Sequence, residues 1–319
     1  MPPQPLNFLI VLKVCIVVFA VFIVVSSISF VSNRTKLEEK KPTGPWKKYG
    51  LVSACVVPGA PKKGSTMYTR EVVQDSLLNK LAYCSQNDDT ACHLSTRSSD
   101  KCNSFVWEKE FSLQRHLHEH EWLLWADCDA LMTNLTLSLD SVTKQAQPGD
   151  DLLVIRDHQF YNLGILMIRS SKWSEWFLRE MLSMRDWMEY MKGAWRDQKA
   201  LIVLMNKHPD IRSHIGVVER HSLNSYAVFW RPGDLMYHQV NCKPQPDNLK
   251  SGYFPKCRDL FQEKARWTRE TAVLKHKLPS SDALGDLLKP VAVRPNLYES
   301  FWCWTRRMAV KGRNNTKPY

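Results

Sequence analysis

The spacing of apolar positions changes several times along the chain. Residues 14–31 are 18 in number without a charge, about the length that crosses a hydrocarbon core as one helix. The run exceeds the apolar region of a cleaved signal, and no crisp small-residue cleavage site follows it. It predicts an uncleaved signal-anchor behind a short tail, residues 1–13. Residues 32–49 carry charge, Pro42 and Pro45 but no apolar period, as a stem would. The apolar run 51–57, closed by the turn-rich PGAPKKG, predicts a first strand. Val72, Val73, Leu77, Leu78 and Leu81 then recur at helical spacing and predict a helix over 71–82. Residues 84–101 are polar and read as irregular. A second helical stretch, 106–118, leads into a strand at 122–125, and further strands are expected at 152–155 and 165–168. Residues 171–191 read as one long amphipathic helix capped by Ser171, with Trp173, Trp176, Phe177 and Trp187 packing into the core. Alternating strands and helices predict an α/β fold with a largely parallel sheet.

Charge changes the picture once it is placed. The 319 residues hold 44 Lys+Arg against 32 Asp+Glu, a formal net charge of +12, which by itself admits nucleic acid or anionic lipid as a partner. The stretch 50–245 nevertheless has 22 basic and 23 acidic residues; the excess lies in the stem, at +4, and in residues 246–319, at +8. With no basic cluster on a recognisable motif, nucleic-acid binding is set aside. Orientation is contested. One lysine, Lys13, precedes the apolar run and six basic residues follow it, which by the positive-inside rule places the large part in the cytoplasm. Eight cysteines besides Cys15 and N-x-Thr sequons at Asn33, Asn134 and Asn314 argue for the lumen.

Candidate chemistry concentrates in EWLLWADCDALMTN, where an apolar strand leads into Asp127 and Asp129. Side chains two apart on an extended segment face one side, and ligands of open α/β sheets bind beyond the carboxyl ends of strands. Oxygen donors suit Mg²⁺ or Mn²⁺. Cys128, between the two acids, should point away from them. The HLHEH segment puts His116 and His120 one helical turn apart; a solvated helix face is expected there in preference to a zinc site.

Five ordered blocks carry a resemblance: Trp107-Glu108-Lys109, the acidic motif, YNLGILMIRSSKWSEWFL, WRDQKALIVL and NSYAVFWRPGDLMYHQVNCKP. The resemblance they carry covers roughly residues 50–245. The chain resembles glycosyltransferase family 34, which holds fungal galactosyl- and mannosyltransferases and plant xyloglucan xylosyltransferases. The resemblance implies a GT-A type α/β fold over 50–245, followed by a basic extension, 246–319. It implies a single-pass type II Golgi membrane protein with its catalytic part in the lumen. The activity implied is a retaining, Mn²⁺- or Mg²⁺-dependent transfer of galactose, mannose or xylose from a UDP- or GDP-sugar to a glycan acceptor. Membership of a Golgi enzyme complex is a further expectation, and a non-catalytic scaffold subunit is the alternative. By the same resemblance, Asp127, Asp129 and His238 are metal ligands. Lys243 would contact the diphosphate, Asn162, Gly164 and Lys109 belong to the donor site, and Asp197 and Gln198 lie beside the transferred sugar. Asn241 stands where the family carries a glycine.

Overall fold

A computed structural model describes residues 46–55, 67–99, 105–158, 160–191, 196–240, 242, 253–272, 274 and 276–288. The expected membrane span, 14–31, and Lys243 lie outside these residues. Among the described residues no helix is long and apolar enough to cross a membrane.

Six strands form the main sheet: β1 (Tyr49–Ala54), β2 (Thr90–Ser95), β3 (Trp122–Ala126), β5 (Leu152–Asp157), β6 (Phe160–Arg169) and β7 (Ile215–Val217). Their order is β2-β1-β3-β6-β5-β7. β1 pairs in parallel with β2 and β3, and β5 with β7, whereas β6 runs antiparallel between β3 and β5. Five strands therefore point one way, and the expected parallel character holds except at β6. β6 departs from it because it follows β5 directly as a hairpin, and a two-residue connection can only reverse the chain. A smaller sheet of β4 (Ala130–Met132), β9 (Met236–His238) and β8 (Ser225–Tyr226) stands beside the first.

Burial explains the apolar runs. All residues of β1 and β3 are buried, as expected for central strands covered on both faces. Helix α1 (Arg70–Gln86) starts at Thr69, whose side chain accepts from the Val72 amide. Helix α2 (Glu108–His116) and α3 (Lys172–Ser183) cover one face with α5 (Arg196–Lys207), and their Leu113, Phe177, Leu178, Met181, Leu201 and Leu204 pack with Val52, Leu123 and Ile168. Ser171 does cap α3, accepting from the Ser174 amide at 3.1 Å.

Two local readings change. The helix expected over 171–191 breaks at Met184 into α3 and α4 (Arg185–Met191), so the four aromatic residues do not share one helix. Trp173 stacks on Phe177 and on His214, while Trp187 belongs to the second piece. The irregular reading of 84–101 gives way to β2, an edge strand tied by the Cys84–Cys92 disulfide to the end of α1. Edge strands bury little, and the weak apolar signal of TACHLS reflects that.

Two more disulfides, Cys55–Cys128 and Cys242–Cys257, join distant segments. The second fastens helix α6 (Tyr253–Thr271), whose Phe261 and Ala265 pack against Met67, Leu131 and Tyr237. Part of the basic extension thus completes the core of the preceding stretch.

Candidate active site

The acidic pair sits on a turn between β3 and β4. The reading of an extended Asp-x-Asp therefore changes in its cause: the turn, with the Ala130 amide bonded back to the Asp127 carbonyl at 3.1 Å, brings the two side chains to one side. Cys128 points the other way, into its disulfide with Cys55, just past the end of β1, which anchors the turn between the carboxylates.

Neighbouring strands deliver the other donors. β9 pairs with β4 so that His238 lies opposite Ala130, and the His238 Nε2 comes to 3.5 Å from the Asp129 Oδ1. β6 pairs with β3 one step earlier, and the Asp127 amide bonds to the Gly164 carbonyl at 2.8 Å. One donor atom from each of Asp127, Asp129 and His238 lies within 4.8 Å of the others, a spacing that can hold a metal ion. Gly164 makes the approach feasible. A Cβ there would stand 2.4 Å from His238 Cε1 and 3.0 Å from Asp127 Oδ2.

A hydrogen-bond chain orients the histidine. The Gly164 amide donates to Asn162 Oδ1 at 2.9 Å, which fixes that atom as an acceptor. Asn224 Nδ2 donates to the same oxygen at 3.0 Å, leaving Asn224 Oδ1 to accept from His238 Nδ1 at 2.9 Å. The imidazole therefore carries its proton on Nδ1 and turns the Nε2 lone pair toward Asp129. A lone pair and a carboxylate oxygen facing one another repel in isolation and suit a cation between them. Ligating histidines are held in this way, by a partner on the other ring nitrogen. The donor set of two carboxylates and one neutral imidazole thus fits a hard divalent ion.

The carboxylates have partners of their own. Tyr68 donates to Asp129 Oδ2 at 2.9 Å and Trp125 Nε1 donates to Asp127 Oδ1 at 2.6 Å. Burial, and then the charges of Asp129 and Asp127, push the Tyr68 hydroxyl well above its usual range and keep it a donor. Lys80 is fully buried beneath the turn, donating to Ser76 Oγ at 2.7 Å and to the Ala130 carbonyl at 2.8 Å. Burial pulls it down to about 7, against the opposing pull of Asp129 and Asp127.

Lys109 of α2 and Asp197 of α5 form a buried ion pair at 2.7 Å. Burial alone would lower Lys109, but Asp197, then Asp127 and Glu110, more than offset it and hold the lysine above its usual range. Lys109 Nζ also lies 6.0 Å from the centre of the Trp125 ring, which links the pair to Asp127. Gln198 donates to the Tyr161 carbonyl of β6 at 2.8 Å. Eight of the nine residues singled out in the sequence are thus placed by the structure, and Lys243 lies outside the described residues. Asn224, Tyr68, Trp125 and Lys80 were missed. Asn224 and Trp125 lie within the five blocks, which was the available signal; Tyr68 and Lys80 become visible only in three dimensions. A cavity of about 170 Å³ lined by Asp75, Asn79, Leu135, Arg269, Leu278 and Pro279 includes none of these residues.

The expected solvated face at HLHEH is corrected. His118 is exposed, but His120 is buried and His116 half-buried. Both pack on His93 of β2, a strand the sequence did not reveal.

Residues 53–147 and 141–248 match the model of the galactosyl transferase GMA12/MNN10 family, and the chain belongs to that family. An alpha-1,2-galactosyltransferase of Schizosaccharomyces pombe is 25% identical over 199 residues, covering 50% of this chain and 50% of the relative. An uncharacterized alpha-1,2-galactosyltransferase of the same organism is 26% identical over 164 residues, 40% of this chain and 43% of the relative. The chain thus spans about half the length of the curated relatives it matches. Among solved structures, a glycosyltransferase involved in glycosylation of the major capsid of PBCV-1 aligns with TM-score 0.49 at 14% identity, over 70% of this chain and 100% of that one. The galactosyltransferase LgtC, in complex with donor and acceptor sugar analogs, aligns with TM-score 0.43 at 12% identity, over 73% of this chain and 99% of that one.

Proposed function

We propose that the chain is a retaining, metal-dependent glycosyltransferase with a GT-A type fold. It transfers a sugar, galactose first among galactose, mannose and xylose, from a nucleoside-diphosphate sugar to a glycan acceptor. The observation that carries this reading is the convergence of Asp127, Asp129 and His238 under a fixed histidine tautomer. Family membership and relatives named as alpha-1,2-galactosyltransferases support it.

Asp127, Asp129 and His238 would hold Mn²⁺ or Mg²⁺, which would supply positive charge against the donor's diphosphate. Asn162 and Gly164 line the donor side of the site, and Lys243 contacts the diphosphate. Asp197, desolvated and paired to Lys109, presents negative charge where the anomeric carbon gains positive charge. Gln198, anchored to β6, fixes the sugar beside it. In a front-face displacement the bond between the anomeric carbon and the phosphate oxygen breaks as the acceptor oxygen bonds to that carbon. The acceptor's proton passes to the departing phosphate, so no protein base is needed.

The protein is placed in the Golgi membrane with residues 14–31 as its anchor and the enzyme in the lumen. The three disulfides among the described residues support this reading, since disulfides persist in oxidising compartments. Donor hydrolysis across a panel of UDP- and GDP-sugars, with and without Mn²⁺, tests the function. UDP-galactose turnover that Asp127→Ala/Asp129→Ala lowers by about 10³-fold or more is the expected result. Turnover indifferent to that double change overturns the assignment.

A further inference from the structure

The opposite end of β3 from the acidic turn holds a second group of donors. His93 Nε2 lies 2.7 Å from His120 Nε2 and 3.7 Å from Glu119 Oε2, and that same carboxylate oxygen is 3.1 Å from His116 Nδ1. The rings of His93 and His116 are stacked with centroids 3.9 Å apart. Donor atoms of His93, His116 and Glu119 all fall within 4.8 Å of one another. Three separate elements contribute: the edge strand β2, the C-terminal end of α2, and the turn that enters β3.

We propose that His93, His116 and Glu119 form a second cation site, of zinc type, with His120 packed beside it. Its chemistry differs from that of the acidic turn. Two imidazoles and one carboxylate favour a borderline-soft ion such as Zn²⁺, whereas two carboxylates and one imidazole suit a hard one. Zinc takes nitrogen and oxygen ligands at about 2.0–2.2 Å in a tetrahedron, which separates neighbouring donors by roughly 3.3 Å. The 3.1 Å between His116 Nδ1 and Glu119 Oε2 is close to that value, and the three donors all lie within 4.8 Å of one another.

Two further features prepare the site. His120 Nδ1 is 2.7 Å from the Lys47 carbonyl. A carbonyl only accepts, so that nitrogen carries the proton, and His120 Nε2 offers its lone pair to His93 Nε2, which holds the His93 ring in place. Gly50 of β1 makes room for the ring, since a Cβ there would stand 2.5 Å from His120 Cδ2 and 3.0 Å from Nε2. Glu119 is 40% exposed and gives an ion a route from solvent. An ion held by His93 of β2 together with His116 and Glu119 would clasp β2 to the body of the sheet. The seven residue steps from His120 to Asp127 span about 23 Å of extended chain, so the clasp stands apart from donor chemistry.

The test uses the full chain, stripped of metal by a chelator and titrated with Zn²⁺, and with Co²⁺ for its visible absorption. The Asp127→Ala/Asp129→Ala chain should bind one equivalent of Zn²⁺ and give the intense visible bands of tetrahedral Co²⁺. His116→Gln/Glu119→Gln, in that background, should weaken binding at least 100-fold, while His118→Gln should leave it unchanged. Zn²⁺ should raise the unfolding temperature of the first and third chains and not of the second. His116 and Glu119 are partly exposed, and equal unfolding temperatures without metal confirm that the variant folds. Two results overturn the site: no zinc bound by the Asp127→Ala/Asp129→Ala chain, or zinc bound equally after His116→Gln/Glu119→Gln. Either would leave the histidines as hydrogen-bonded packing.

Discussion

Asn224 shows how one side chain acts through another. Its amide passes the orientation of a backbone N–H, through Asn162, to the ring of His238. Asn224→Ala removes the acceptor that fixes the Nδ1–H tautomer. Activation by Mn²⁺ should then require 10–100-fold more metal, read as a shift of the Mn²⁺ titration midpoint with activity regained at saturation. Gly164→Ala acts by volume instead. A methyl 2.4 Å from His238 Cε1 displaces the ring, and a displacement on the order of 1 Å in a preorganised site can cost about 10²-fold in turnover. Donor hydrolysis at saturating Mn²⁺ measures it, and unchanged turnover would show that the ring has room to move.

At the scale of elements, α2 carries both a residue of the proposed site and an oddity of the core. Lys109 faces Asp197, while Glu110 is buried among Leu113, Leu152, Leu163, Phe177 and Met181. Its Oε2 has no hydrogen-bond partner among the described residues. Burial pushes the Glu110 carboxyl up to about 8, Lys109 pulling the other way. The unfolded chain ionises this group near 4.5 and the folded chain only near 8, so between those values the folded state holds the extra proton. Stability from this group is full below about pH 4.5, declines as pH rises through the interval, and is level above 8. Glu110→Gln should therefore unfold at higher denaturant than the parent at pH 8, by up to a few kcal/mol, with the gap closing toward pH 5. A gap independent of pH would contradict the uncharged form. The elements themselves were legible where they are buried: β1, β3 and α3 announce themselves because central strands and amphipathic helices must carry apolar residues in period. β2 did not, since an edge strand has little to bury, and the break at Met184 has no Pro or Gly to mark it.

For the whole molecule, the disulfides decide how segments far apart in sequence are held. Cys55–Cys128 joins the end of β1 to the acidic turn across 73 residues. Replacing both cysteines by alanine should lower stability by about 2–5 kcal/mol and weaken Mn²⁺ activation together, measured by thermal unfolding and the same metal titration. Loss of stability with unaltered activation would mean that the turn holds its shape without the bond. Membrane topology belongs to this scale too. Asn134 lies on the folded part, and a lumenal chain should lose mass on treatment with a glycosidase that removes N-linked glycans. A chain never glycosylated and reached by protease from the cytosolic side would overturn the lumenal placement.

The sequence by itself determined the α/β class, the acidic pair and the family blocks, because burial and close-packed chemistry leave periodic or contiguous marks along a chain. It could not determine what meets what. The Asn162–Asn224–His238 relay, the cradle at Gly164, the Lys109–Asp197 pair and the histidine cluster join residues up to 88 positions apart. Such contacts arise from strand register, from β6 running against its neighbours and from β4 pairing with β9, none of which has a local signature. His120 is the plainest case. A helical spacing on paper placed it on a wet face, and the arrival of β2 and the absence of a side chain at Gly50 buried it.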